Sequence, residues 1–138
     1  MFKMIEDIST LRGTVGFEFD WTARSNDQTQ TVARVEDGQI AGLIEFERIP
    51  SSLLDFLHLI EVKSEYRGTE VAGKLLAYVA RDSFDQGFEG FVVLEPKTLL
   101  YEYYIEKYGA KPLPGRRLHF DTEASRALIE RYLNDEAE

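Results

Sequence analysis

The 138-residue sequence predicts a mixed α/β fold: a mostly antiparallel sheet with a central strand–helix–strand crossover and a C-terminal helix. Three observations carry that expectation. The first part of the chain alternates apolar and polar residues at the strand period of two. From Val71 the apolar residues recur at helical spacing instead. A short apolar run, FVVLEP at 91–96, then supplies the return strand of a crossover. A chain of this length is expected to build one core, so residues 1–138 are read as one domain.

Taken in order, residues 14–22 (TVGFEFDWT) put Val15, Phe17, Phe19 and Trp21 on one face and Thr14, Glu18 and Asp20 on the other. That pattern predicts a half-buried strand. The polar stretch RSNDQTQ follows, and residues 31–49 read as two strands joined at Asp37-Gly38, a pair that tolerates the positive φ of a tight hairpin. Pro50, Ser51 and Ser52 punctuate the chain before LLDFLHLIEVK at 53–63, whose nearly continuous apolar character suits a central strand covered on both faces. Residues 71–84 form a helix with Val71, Leu75 and Val79 in one row, and Gly87 stops it. A second helix fits 97–108 and ends at Gly109. Pro112, Pro114 and Gly115 hold an extended connection into the strand RRLHF, and Asp121 or Thr122 caps a last helix through about Leu133.

Composition narrows the function classes. Forty-three per cent apolar residues exclude a disordered acidic tail, and the absence of cysteine excludes disulfide scaffolds, thiolate zinc sites and a cysteine nucleophile. No run approaches the roughly 18 apolar residues of a membrane span, and the start MFKMIEDIST carries acids where a signal peptide is apolar. A soluble, cytoplasmic protein without a membrane partner is expected. The 25 acidic residues outnumber 16 basic ones, for a net charge of −9, and the densest basic cluster is Arg116-Arg117. No nucleic-acid partner is therefore expected, whereas an amine, a polyamine or a basic protein segment suits the field. His119 has no second histidine at ligand spacing, so no metal is expected.

The segment IEVKSEYRGTEVAGKLL at 60–76 concentrates the chemistry. A buried strand runs through a short glycine-containing loop into a helix whose first turn is rich in small residues. Unpaired N–H groups and the positive end of the helix dipole there form a cradle for an anion such as a pyrophosphate, with Arg67 and Lys74 as cations at its rim.

Residues 62–76 resemble the acetyl-CoA signature of the GNAT superfamily of N-acetyltransferases, Arg/Gln-x-x-Gly-x-Gly/Ala after a strand. Arg67 and Ala72 fit the pattern, and Glu70 replaces its middle glycine. Residues 100–110 resemble the second motif of that superfamily, a helix ending in Tyr-x-Lys-x-Gly-Phe or a near variant. The resemblance covers residues 53–120 and agrees in strand order from residue 14. It implies acetyl-CoA as co-substrate, no metal, and direct attack of a primary amine on the thioester in a ternary complex. The acceptor would be a small-molecule amine or a lysine or N-terminal amine of a protein. By the same resemblance Ile60 and Val62 pair with the pantetheine arm, while Arg67, Gly68, Thr69, Glu70, Val71, Ala72, Gly73 and Lys74 hold the phosphates.

Two further positions depart from the pattern. The superfamily's tyrosine, which protonates the departing thiolate, aligns with Ile105; Tyr104 is one residue earlier and Tyr101 one turn earlier. Only the short RSNDQTQ stretch separates the first two expected strands, where the superfamily usually has two helices. Their loss would open the acceptor cleft to a large substrate, or to a wall supplied by a second subunit in a homodimer. His58 and Glu61 are the candidate bases, expected on opposite faces of strand 53–63, with Asp55 a third candidate. The competing account of His58 is a core histidine donating to a backbone carbonyl, that of Tyr104 is packing on the buried face of its helix, and that of Glu61 is a solvated charge at a strand end. A degenerate member that binds CoA or a protein without catalysis, and a non-enzymatic α/β interaction domain, are the alternative readings.

Overall fold

The computed structural model describes residues 1–24 and 26–134. Asp37 and Gly38, at φ 53° and 75°, make the tight turn that joins strand β2 (Thr29–Glu36) to β3 (Gln39–Ile49). β4 (Leu54–Val62) returns antiparallel to β3, helix α1 (Val71–Asp85) crosses over, and β5 (Val92–Leu94) lies parallel to β4. Helix α2 (Thr98–Tyr108) ends at Gly109, which takes the left-handed conformation at φ 77°. β6 (Lys111–Leu113), β7 (Arg117–Phe120) and helix α3 (Thr122–Leu133) complete the chain, with the Asp121 carboxylate accepting from the Ala124 N–H as the N-cap of α3. Together with β1 (Phe2–Ile5) these strands make one seven-stranded sheet in the order β1-β2-β3-β4-β5-β7-β6, parallel only at β4–β5. The crossover at the centre and the closing helix are as the sequence predicts.

The expected strand at 14–22 does not form. Residues 2–5 occupy the edge beside β2 instead, and glycines 13 and 16, at φ 80° and 95°, bend the chain away from extended geometry. The described residues between Glu6 and Gln28 cross one face of the sheet. Of its alternating apolar side chains only Trp21 is fully enclosed, while Val15 is 79% exposed. Among its described residues the sole helical element is the 3-10 turn Ile8–Leu11, so the superfamily's two helices between its first strands are absent here.

Two apolar clusters flank the sheet. Val71, Leu75, Leu76 and Val79 of α1 pack with Val32, Ile44, Phe46, Leu57, Val92 and Leu94, and the same core takes in Tyr104, Tyr108, Leu128 and Tyr132. On the other face Leu11 and Trp21 pack with Ile5, Ala33 and Leu43. Helix α3 lies against α1 because Gly73 has no side chain: a Cβ there would stand 2.3 Å from the Tyr132 ring. A bulge interrupts the β3–β4 ladder, where Glu45 pairs with Leu59 but Phe46 pairs with Leu57, so that His58 is the extra residue.

Candidate active site

β4 and β5 pair only over residues 55–57 against 92–94, and Pro96, lacking an N–H, cannot extend the ladder. The strands therefore fork immediately after Leu57. Beyond the bulge, residues 59–62 of β4 stay paired with β3 and turn the other backbone edge toward a cleft. Two cavities meet in this fork. One, of about 320 Å³, runs from Ile60, Val62 and Gly68 to Tyr104 and Lys107. The other, of about 150 Å³, is bounded by Phe19, His58, Leu59, Glu95 and Lys97. Ile60, Leu100 and Tyr104 line both, so the two are halves of one passage through the sheet edge.

The larger cavity ends at the start of α1. Gly68 supplies the one left-handed turn of the loop, at φ 81°, and Thr69 Oγ bonds the Tyr66 carbonyl while accepting from the Val71 N–H at 3.4 Å. Glu70 precedes the helix at φ −85° and gives it no side-chain cap. Its backbone thus needs no glycine, and the first-turn N–H groups keep their outward dipole. Of the residues expected to hold phosphates, Arg67, Gly68, Thr69 and Ala72 line the cavity, and Glu70 lies on its outer continuation. Val71, Gly73 and Lys74 do not face it with their side chains. Val71 is buried in the core, Gly73 abuts Tyr132, and the Lys74 amino group lies 3.7 Å from Glu36 at the far hairpin. The cations the cradle gains in exchange are Lys107 and Arg131, which flank Gly68, Thr69 and Glu70 at its mouth. Lys107 belongs to the second quoted motif, but Arg131 sits on α3, and nothing local in the sequence connects it to residue 68.

Tyr104 stands where the two cavities join, is 7% exposed, and has its phenol pushed up to about 12, by burial first and then by Tyr103 beside it. It keeps its proton at neutral pH and so is fit to donate it. Tyr108 is raised by burial, and Tyr103 is lowered by its hydrogen bond with Lys107. Ile105 and Tyr101 pack against the main core.

The three candidate bases separate sharply. The Glu61 carboxylate accepts from the Glu18 N–H at 2.6 Å, the Phe19 N–H at 3.2 Å and Trp21 Nε1 at 2.8 Å, which pins the crossing segment to β4. Asp55 is fully enclosed, and neither carboxyl oxygen has a hydrogen-bond partner. Its pKa is pushed up to about 9, by burial first and then by the neighbouring Asp82, which Arg48 grips through two bonds of 3.0 and 2.7 Å. A carboxyl that is already protonated takes no proton from a substrate. His58 opens onto the smaller cavity, with Nε2 2.9 Å from Glu47 Oε1. The bulge also overturns the expected face assignment. The extra residue breaks the period of two, and both His58, through Glu47 and Asn26, and Glu61 end among residues of the crossing segment.

Among the described residues no group of three or more His, Asp or Glu side chains could hold a metal ion, and no helix is long and apolar enough to cross a membrane. The family model of the acetyltransferase (GNAT) family matches residues 4–110. Among solved structures, an acetyltransferase of the GNAT family from Staphylococcus aureus Mu50 is 18% identical, with 69% of this chain and 68% of that chain covered and a TM-score of 0.56. The CoA-dependent acyl-homoserine lactone synthase BjaI, with SAM and isopentyl-CoA, is 17% identical over 90% of this chain and 72% of its own, at TM-score 0.60. The KacTA–DNA complex is 12% identical over 77% and 76%, at TM-score 0.61. Among curated proteins none matches the chain.

Proposed function

The chain belongs to the acetyltransferase (GNAT) family, and on that premise we propose that it is an acetyl-CoA-dependent N-acetyltransferase acting on a primary amine by direct attack in a ternary complex. The passage through the β4–β5 fork is the observation that carries this reading. It offers a cradle at one end, an unpaired strand edge along its wall, the Tyr104 phenol where the halves meet and the His58 imidazole in the smaller half. Anionic phosphates suit Arg67, Lys107, Arg131 and the first turn of α1. The edge at residues 58–62 suits an amide-bearing arm laid down as an extra strand, and a strand N–H beside the bulge suits the carbonyl oxygen as charge develops on it.

An amine arrives as an ammonium ion, with a pKa of about 10.4 if it resembles lysine, and must lose a proton before it attacks. His58 takes that proton. The amine nitrogen then bonds to the carbonyl carbon, the C–S bond breaks with its electron pair on sulfur, and Tyr104 protonates the thiolate, regaining a proton from the new amide nitrogen through solvent. Phe19, Leu99 and Leu100 stand 36%, 94% and 44% exposed beside the smaller cavity or on the α2 turn that bounds it, which favours an acceptor with apolar surface of its own. Calorimetry with acetyl-CoA and with CoA tests the cradle, and thiol release with spermidine, phenethylamine and lysine peptides tests the transfer. Heat with both ligands is expected, and none at millimolar concentration overturns the reading. Binding without thiol release from any amine supports the second reading, a member that binds CoA without catalysis, which Glu70 at the cradle mouth favours.

A further inference from the structure

We propose that Glu47 is the positioning residue of the base, fixing the His58 ring so that Nε2 carries the hydrogen and Nδ1 meets the amine; this rests on the reading of His58 as the base. The sequence gives no hint of the pair, because the residues lie eleven apart on neighbouring strands. The bulge brings them together. Glu47 pairs across the ladder with Phe56, and the extra residue at 58 brings its imidazole back over that pair, 4.9 Å from the Phe56 ring.

Three observations give the contact a direction. Glu47 Oε1 lies 2.9 Å from His58 Nε2 and also accepts from Asn26 Nδ2 at 2.9 Å, so the carboxylate is itself held in place. These two hydrogen bonds, Asn26 first, keep the Glu47 carboxyl below its ordinary range and hence ionised. An ionised carboxylate offers no proton, so the shared hydrogen belongs to Nε2, and the lone pair of the neutral ring is left on Nδ1. The ring lies at the first position beyond the fork and lines the acceptor half of the passage. The other charged and titratable groups about it are Glu95, Lys97 and Tyr104 along the cavity and Glu45 next along the same face of β3. In the transfer Nδ1 takes the proton from the ammonium, and the resulting imidazolium lies against the Glu47 carboxylate without passing its Nε2 hydrogen on.

The experiment combines ring-nitrogen NMR of His58 with thiol release from acetyl-CoA to phenethylamine in wild type, Glu47→Ala, Glu47→Gln, His58→Gln and the Glu47→Ala/His58→Gln double variant. In wild type above the imidazole titration, a single Nε2–H tautomer is expected. Glu47→Ala should yield a mixture of both tautomers and lose about tenfold or more in kcat with KM for acetyl-CoA unchanged. Glu47→Gln, whose amide oxygen still accepts from Nε2–H, should recover the tautomer and part of the rate. In the His58→Gln background the Glu47→Ala loss should vanish. An Nδ1–H tautomer in wild type, or a spectrum unchanged by Glu47→Ala, overturns the proposal on the NMR alone, as does a Glu47→Ala rate loss of equal size without His58. Failure of the acetyltransferase reading shows separately, as an absence of heat when wild type is titrated with acetyl-CoA.

Discussion

Glu61 shows how a strand-end carboxylate near a reaction site can be committed to architecture. Its two oxygens meet three N–H donors from residues 18, 19 and 21, and truncation would break all three bonds and leave the buried Trp21 Nε1–H without a partner. Glu61→Ala should therefore cost on the order of 2–4 kcal/mol, since each buried unsatisfied donor costs about 1–3 kcal/mol. Chemical denaturation of the purified variant measures the loss, and a shift in midpoint within error would show that the crossing segment is held by Trp21 packing alone. Glu70 poses the opposite question. At φ −85° its backbone is unstrained, so only its charge bears on an anionic ligand. Glu70→Gln and Glu70→Gly should tighten acetyl-CoA binding equally, by up to about fivefold at low salt. A gain with glycine alone would point to backbone freedom instead.

At the scale of elements, the seam between α1 and α3 decides both packing and charge. Gly73 lets the Tyr132 ring rest on the helix backbone, and Gly73→Ala forces a carbon to within 2.3 Å of that ring. Thermal unfolding should report a loss of roughly 1–3 kcal/mol, the usual cost of overpacking. The same seam brings Arg131 to the cradle. Arg131→Glu and Lys107→Glu should each weaken acetyl-CoA binding by about tenfold or more in low salt, with the effect shrinking as salt rises. Lys74→Glu, whose amino group is 3.7 Å from Glu36, should leave that affinity near wild type. Isothermal titration at two ionic strengths separates them, and equal losses at 74 and 131 would restore Lys74 to the phosphate site. Lys74 lies in the motif, but α1 turns it to the hairpin, and Arg131, 57 positions further along the chain, stands at the mouth of the cradle instead.

The whole molecule carries a pH dependence set at Asp55. An unfolded aspartate titrates near 3.9, whereas burial holds the folded one up to about 9. Between those values the folded state keeps a proton that the unfolded state has lost, so stability is greatest at the acid end of this window and falls as pH rises through it. Asp55→Asn should flatten that decline, and melting temperatures from pH 5 to 9 measure it. An identical slope in the variant would place the proton elsewhere.

How much of this was legible in the sequence depends on range. The hairpin at Asp37-Gly38, the helix from Val71, its stop near Gly87 and the Asp121 cap are local decisions, written in backbone preference and periodicity within a few residues. They are enough to order the elements and to locate the loop at 67–70 between a strand and a helix. The 14–22 segment alternates just as cleanly yet forms no strand, because pairing needs a free edge and residues 2–5 already hold it. Long-range geometry made the other choices as well. The bulge at His58 reversed the strand's period and joined it to Glu47, burial and then the neighbouring Asp82 kept Asp55 protonated, and α3 carried Arg131 to the cradle. The sequence by itself determined the hairpin, the central crossover, the three helices and the place of the glycine loop between β4 and α1, since these follow from contacts along the chain. Which side chains face the passage was decided only by the tertiary structure, because register, burial and charge at a site are sums over neighbours that the chain brings together only when it folds.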